Sequence, residues 1–364
     1  MRAVKTAIVH DALPFYGGAE RVLAAMLDVL PGTPVFTLIH NRARLAGTPL
    51  QAADIRASFL DRLPGVYRNH YRYFPLFPIA VRSFNLDAYD LVISSHYAVA
   101  HWARVRPGAR HISYVHTPLR YLWQAAGAGR GALSEEFLQR IRSIDRAAAG
   151  RVDAFAVNSE WIRSVIAAAY GRDAVVIHPP VDLERFSAAP VREETFICVS
   201  RLAPHKKLDL VISAFNRAGL PLAIVGEGPE RGRLEAMAAP NIRFLGFRSD
   251  AEVAGLLGRA RAFVHMAAED FGIAVVEAQA AGCPVISFAG GANSETVADG
   301  ATGVLVPEQT AEGLLDGLAR FDSIEGRFEP ARLQAHANPF DAGNFRAAFR
   351  SFLNWNLPSG SIPG

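Results

Sequence analysis

Short apolar runs rich in β-branched residues alternate with Ala/Leu-rich stretches of helical character along the whole chain, a pattern that predicts parallel sheets joined by crossover helices. Runs at 6–10, 34–39, 91–94, 111–115 and 153–158 make one set, and runs at 196–199, 222–225, 242–245, 262–265 and 284–287 make a second. Between the sets lies His178-Pro179-Pro180-Val181-Asp182, where consecutive prolines exclude helix and stiffen the backbone, so a linker and hinge are expected there. The reading is α/β, with domains 1–180 and 181–339. A last helical stretch at 344–355 spaces Phe345, Phe349, Phe352 and Leu353 onto one face, which must dock.

Composition narrows the classes. With 364 residues, 50% hydrophobic and 20% charged, the chain suits about two globular domains and excludes disorder and collagen. A formal charge of +3 gives no general case for nucleic acid, so anionic ligands need local sites. Cys198 and Cys283 each sit inside an apolar run, which predicts neither a disulfide framework nor a thiolate metal cluster and fits a reducing compartment. The opening residues are too interrupted, with Asp11 following directly, to read as an export leader, so a cytoplasmic location is expected. The longest uncharged stretch, 278–294, is broken by Gly282, Pro284, Gly290 and Gly291 and does not read as a membrane helix.

Three motifs can carry chemistry. Gly17 and Gly18 follow the first strand and lead into a helix expected at 22–30, where a tight turn can aim backbone amides at an anion; an ordinary strand-to-helix loop explains the glycines as well. Arg201, Lys206 and Lys207 follow the first strand of the second set, before a helix expected at 209–215. A guanidinium and an ammonium there can converge on one diphosphate, or simply form a solvated basic loop. The third motif is the most specific. Glu269 and Glu277 flank Phe271-Gly272-Ile273, read as a turn before a helix at 275–281, so two carboxylates can bond separate hydroxyl-bearing parts of one ligand while the turn's amides face its phosphate. Glu277 lies between Val276 and Ala278, which argues against a plain surface charge.

Together with Gly226-Glu227-Gly228-Pro229 and Phe244-Leu245-Gly246, these motifs resemble family 4 glycosyltransferases of GT-B fold over nearly the whole chain. The stretch from Tyr114 to Trp123, which contains His116, further resembles bacterial mannosyltransferases of O-antigen and exopolysaccharide assembly. The resemblance implies two Rossmann-like domains facing across a cleft, with 340–364 crossing back to pack on the first. It implies an acceptor held mainly by the first domain and a nucleotide-sugar donor held mainly by the second. Carried over, Arg201 and Lys206 hold the donor diphosphate, with Lys207 an open alternative to Lys206. Glu277 bonds the ribose, Glu269 and the amides of Phe271, Gly272 and Ile273 hold the sugar and its phosphate, and Gly17 and Gly18 close on the donor. His116 falls beside the reaction centre; a histidine after a strand is equally well a structural hydrogen-bonding residue. The catalytic set implied is His116, Glu269, Arg201 and Lys206, acting with retention of configuration and without metal or other cofactor, because the cationic pair and oriented amides take up the charge of the departing diphosphate.

The same resemblance, and nothing else in the sequence, favours GDP-mannose as donor and implies a glycan or polyprenyl-diphosphate-linked acceptor, in polysaccharide biosynthesis. Two rivals are a sugar-nucleotide 2-epimerase of similar fold and a non-catalytic nucleotide-sugar-binding protein; the glutamate spacing and the intact charged set favour transfer. Finally, the segment 56–86, which opens on Arg56 and closes on Leu86, carries Arg62, Arg68, Arg72 and Arg82 among Phe59, Tyr67, Tyr71, Tyr73, Phe74, Phe77 and Phe84. It is expected either to meet an anionic membrane at the inner face or to pack its aromatics inside the first domain.

Overall fold

The computed structural model describes residues 4–123, 135–189 and 191–357. The chain divides into two compact units, Met1–Pro180 with Gly343–Gly364, and Val181–Ala342. The end of the tail expected to cross back, 358–364, lies outside the described residues.

The first unit is built on seven parallel strands: β1 (Thr6–His10), β2 (Val35–Thr37), β3 (Ile55–Ala57), β4 (Leu91–His96), β5 (Arg110–Val115), β6 (Ala154–Val157) and β7 (Val175–Val176). Their order is β3-β2-β1-β4-β5-β6-β7, with Ile8 opposite both Val35 and Ile93. The second unit has β8 (Phe196–Val199), β9 (Leu222–Val225), β10 (Ile242–Gly246), β11 (Phe263–His265), β12 (Val285–Phe288) and β13 (Gly303–Val306), in the order β10-β9-β8-β11-β12-β13. Both are doubly wound Rossmann-like sheets. Each reverses its winding beside its first strand, where ligands bind beyond the carboxyl ends.

The central strands are apolar on both faces because helices cover both. On one side of the first sheet Ile8, Ile93 and Ile112 pack with Leu23 and Met26 of the helix Gly18–Val29; on the other, Ala7, Val9 and Val92 pack with Trp102 and Val81. The last helix runs Ala342–Asn356 and buries Phe345, Phe349, Phe352 and Leu353 in the first of these layers. Each fully buried side chain of that size contributes about 1.5–3 kcal/mol. At the border of the second unit the Val181 amide donates to the Phe340 carbonyl (2.9 Å) and the Ala342 amide donates to the Val181 carbonyl (3.1 Å), so the incoming and outgoing chain lie side by side.

The segment 56–86 is more inward-facing than a membrane reading requires. Phe77 is buried and Tyr73, Phe74 and Phe84 are half-buried, since the strand face carrying Phe36 needs a cover; Phe36 meets Phe84 at 5.5 Å between ring centres. Arg56 is held by Asp54 at 2.7 Å, just outside the stretch counted. What remains exposed is Phe59, Tyr67, Tyr71 and Ile79 with Arg62, Arg68, Arg72 and Arg82. Among the described residues no helix is long and apolar enough to cross a membrane.

Candidate active site

In the second unit the loops after β8, β9 and β10 lock together through backbone. The Leu202 amide donates to the Glu227 carbonyl (3.0 Å) and the Gly226 amide to the Gly246 carbonyl (2.9 Å). Gly226 must be glycine: its φ is +131°, and a Cβ there would stand 1.9 Å from the Ser200 oxygen. This contact fixes the start of the loop that carries Arg201 and Lys206. Arg201 is exposed. Lys206 ends a short 3-10 turn, Pro204–Lys206, and its Nζ donates to Glu269 Oε1 at 2.6 Å. Lys207 begins the next helix, Leu208–Ala218, and adopts the left-handed conformation (φ 55°), the one non-glycine among the described residues to do so. It is Lys206, then, that the fold directs at the glutamate motif.

Glu269 follows β11 and is itself gripped by backbone. The Ala292 amide donates to its carbonyl at 2.8 Å, and Gly291 approaches so closely that a Cβ would stand 2.3 Å from that oxygen. His265 Nε2 lies 3.0 Å from the same Oε1 that Lys206 reaches. Burial pushes the Glu269 carboxyl upward, but the Lys206 ammonium and the His265 ring prevail and hold it well below the usual carboxylate range. The carboxylate is therefore anionic at any working pH.

The helix starts two residues earlier than expected, at Ile273, and ends at Ala280. Gly272, at φ +88°, supplies the left-handed turn into it, and no side chain caps it, which leaves its first amides available to an anion. Phe271 turns inward instead, packing on Phe340 at 5.4 Å, so its ring belongs to the core. Glu277 lies one turn further along than the first turn and is buried, with Arg185 Nη2 3.6 Å from its Oε1; Arg185 also bonds Asp250 at 2.8 Å. Sequence reasoning missed both Arg185 and His265. His265 carried a signal, being a strand-end histidine four residues before Glu269.

In the first unit the helix after the glycine turn begins at Gly18, earlier than the 22–30 expected. The Gly17 amide is already committed, donating to Glu20 Oε2 at 2.9 Å, so the amides left for an anion are those of the first helical turn starting at Gly18. His116, just after β5, is buried, and its Nε2 lies 2.9 Å from Ser95 Oγ. Burial, and then the neighbouring His10, lower its pKa to about 3. Ser95 Oγ is also 2.9 Å from His10 Nδ1, whose other nitrogen faces Glu20 Oε1 at 3.7 Å. Beneath this chain Asp11 accepts four backbone amides, from Tyr97, Ala98, Val99 and Ala100, at 2.6–2.8 Å. The loop after β4 is thereby fixed by charge-assisted bonds of about 1.5–3 kcal/mol each. None of His10, Asp11, Glu20 or Ser95 was singled out from sequence as a site residue.

Each unit thus carries polar groups at the carboxyl ends of its strands, one set a lysine, a histidine and glutamates, the other imidazoles, a hydroxyl and carboxylates. Residues 16–185 match the family model described as Glycosyltransferase Family 4, and residues 182–335 match that described as Glycosyl transferases group 1. The chain belongs to glycosyltransferase family 4. A GDP-mannose-dependent alpha-(1-6)-phosphatidylinositol monomannoside mannosyltransferase of Mycolicibacterium smegmatis is 33% identical over 181 residues, 41% of this chain and 47% of that protein. A phosphatidyl-myo-inositol mannosyltransferase of the same species is 34% identical over 192 residues, 48% of this chain and 50% of that one. The chain spans about half the length of these curated relatives. Among solved structures, sucrose-phosphate synthase of Thermosynechococcus elongatus superposes with a TM-score of 0.76 at 18% identity, covering 96% of this chain and 98% of that one. Anabaena HepE in complex with UDP and glucose gives 0.73 at 19%, covering 96% and 99%. At such identities the structures establish the family's fold and no more.

Proposed function

We propose that the protein is a retaining hexosyltransferase that moves a sugar, mannose in preference, from a nucleoside diphosphate to a glycan or polyprenyl-diphosphate-linked acceptor in cell-surface polysaccharide synthesis. The observation that carries the reading is the cluster of Lys206, Glu269 and His265 at the strand ends of the second unit, beside the uncapped helix that bears Glu277. In this reading the diphosphate takes over the Lys206 ammonium from Glu269, and Arg201 joins it as negative charge builds on the leaving oxygens. The amides at Gly272 and Ile273 meet the phosphate, and Glu277 exchanges Arg185 for the ribose hydroxyls. Glu269, left beside His265, accepts from a sugar hydroxyl. In the first unit His116 meets the transferred sugar, and the helix start after Gly17 and Gly18 meets the donor.

Mannose and a guanine base are favoured by the curated mannosyltransferase relatives, one of them described as GDP-mannose-dependent. The same reading puts the enzyme in the cytoplasm at the inner face of the membrane. Exposed Arg68, Arg72, Tyr71 and Ile79 would meet anionic lipid there, each basic group contributing about 1 kcal/mol.

A panel of GDP- and UDP-sugars offered with a polyprenyl-diphosphate sugar acceptor tests the proposal. Transfer from GDP-mannose that persists in EDTA is the expected result. Transfer from a UDP-sugar alone overturns the donor, restoration by Mn2+ after loss in EDTA overturns the metal-independent mechanism, and no transfer from any donor overturns the enzyme.

A further inference from the structure

The chain Glu20, His10, Ser95, His116 is four residues from four different places in the first unit, all buried and in sequential contact. Ser95 sits between two ring nitrogens, each at 2.9 Å, and has a single hydroxyl proton. It can donate to one histidine only and accepts from the other. The chain therefore has two polarities for neutral rings. In one, His116 Nε2–H donates to Ser95, Ser95 donates to His10 Nδ1, and the His10 proton sits on Nε2, pointing at Glu20. In the other every bond reverses, and the His10 Nε2 lone pair points at Glu20.

Glu20 breaks the tie. Its Oε1 stands 3.7 Å from His10 Nε2, beyond hydrogen-bond length but close enough in a buried setting for an N–H to be strongly preferred to a lone pair. The carboxylate cannot swing away freely, because the Gly17 amide donates to its other oxygen at 2.9 Å. We infer that Glu20, His10 and Ser95 are positioning residues that hold His116 as its Nε2–H tautomer. His116 Nδ1, which none of the described residues bonds, is then an acceptor for a ligand hydroxyl. Burial keeps the His116 ring uncharged, so its tautomer decides whether it accepts or donates. The glycine turn is part of the same device, since the capping contact that starts the helix also aims the glutamate. The expected effect on turnover rests on the transferase reading; the tautomer does not.

Histidine-selective 15N NMR at pH 8, with the His116 signal assigned by its loss in His116→Gln, reads the tautomer directly in the full chain. The parent is expected to show His116 protonated at Nε2. In Glu20→Gln, which offers His10 either an oxygen or an NH2 group, the population shifts toward Nδ1–H. There kcat falls about tenfold while the donor KM moves less than about twofold, the split expected for a group that orients rather than binds. Glu20→Asp, which keeps the carboxylate, recovers part of the loss, and Ser95→Ala reports on the same coupling where Glu20→Gln does not fold. His116 found as Nδ1–H in the parent, including through a protonated His10, overturns the inference, as does an unmoved tautomer in folded Glu20→Gln. A parent with the expected tautomer and no transfer from any nucleotide-sugar supports this inference while sinking the enzymatic reading.

Discussion

The two sheets wind in the same order, β1 and β4 standing in the first as β8 and β11 stand in the second, yet the same strand ends carry opposite chemistry. At the ends of β1 and β4 stand His10 and Ser95, with Glu20 in the helix after β1 and His116 just beyond β5, a buried chain of imidazole, hydroxyl and carboxylate groups. At the ends of β8 and β11 lie Lys206, beyond β8, His265, which closes β11, and Glu269, beyond it, an ion cluster tethered to backbone by Gly226 and Gly291. A doubly wound sheet settles where a ligand goes; the side chains settle what kind of ligand. Neutral donors and acceptors match sugar hydroxyls by direction, and fixed charges match a diphosphate by field.

The largest expected break in this comparison is Lys206→Ala. Removing a preorganised donor from a developing anion costs about 10²–10³ in kcat, read in the transfer assay. With its ammonium gone, only the His265 ring is left to oppose burial, already the largest single influence on Glu269, so its carboxyl rises and an acid-side inflection enters the pH–rate profile. A loss in KM alone would mean that Lys206 binds the ground state and transition state equally.

Acid should separate the two units next. Burial depresses the His111 and His116 pKa values to about 3 and also holds His96 well below its ordinary value, whereas unfolded histidine takes its proton near 6.5. Between those values the unfolded chain binds more protons. Stability of the first unit is thus complete above about pH 6.5 and lost as pH falls toward 3, at up to about 1.4 kcal/mol per pH unit for each histidine. Glu269 behaves differently: with its pKa depressed, its contribution is intact above the ordinary carboxylate value and is lost progressively as pH falls from there toward the depressed one. All four tryptophans, Trp102, Trp123, Trp161 and Trp355, belong to the first unit, so their fluorescence should change at a higher pH than amide exchange in β8 to β13. Coincident transitions would show that the contrast has no bearing on stability.

The smallest effect sharpens the assignment of the cation. Lys207→Gly removes a left-handed lysine and should change stability in denaturant titration by under about 1 kcal/mol, with turnover within about twofold of the parent. A tenfold loss would move the phosphate role from Lys206 to Lys207.

The central strands were legible because they are continuous apolar runs; 6–10, 196–199 and 222–225 coincide with β1, β8 and β9. The edges were not. Ile55–Ala57 carries Arg56 and lies largely exposed, and Val175–Val176 has two residues, so neighbours rather than composition make them strands. β13 did have a signal, an apolar run opening on Gly303, where a Cβ would meet the Val285 oxygen at 2.1 Å. In the site, Glu269 and Glu277 could be seen because a seven-residue spacing places both around one turn and helix. His10 and Ser95 stand 85 residues apart, and only the crossover that sets β1 beside β4 brings them into contact. Arg185 was hidden for the same reason, its carboxylate partner lying on a helix far along the chain.

The side-by-side crossing at Val181 and Ala342 makes the second unit an insertion within the first. On a ribosome working from the amino end, Val181–Ala342 is contiguous and can close its own core as soon as it emerges. The earlier-made unit cannot: the layer on β1, β4 and β5 stays open until Phe345, Phe349, Phe352 and Leu353 arrive, after the whole of the second unit has been made. The part translated first is therefore the part finished last, and a nascent chain stalled at Ala342 would present a completed unit beside an apolar groove that chaperones recognise.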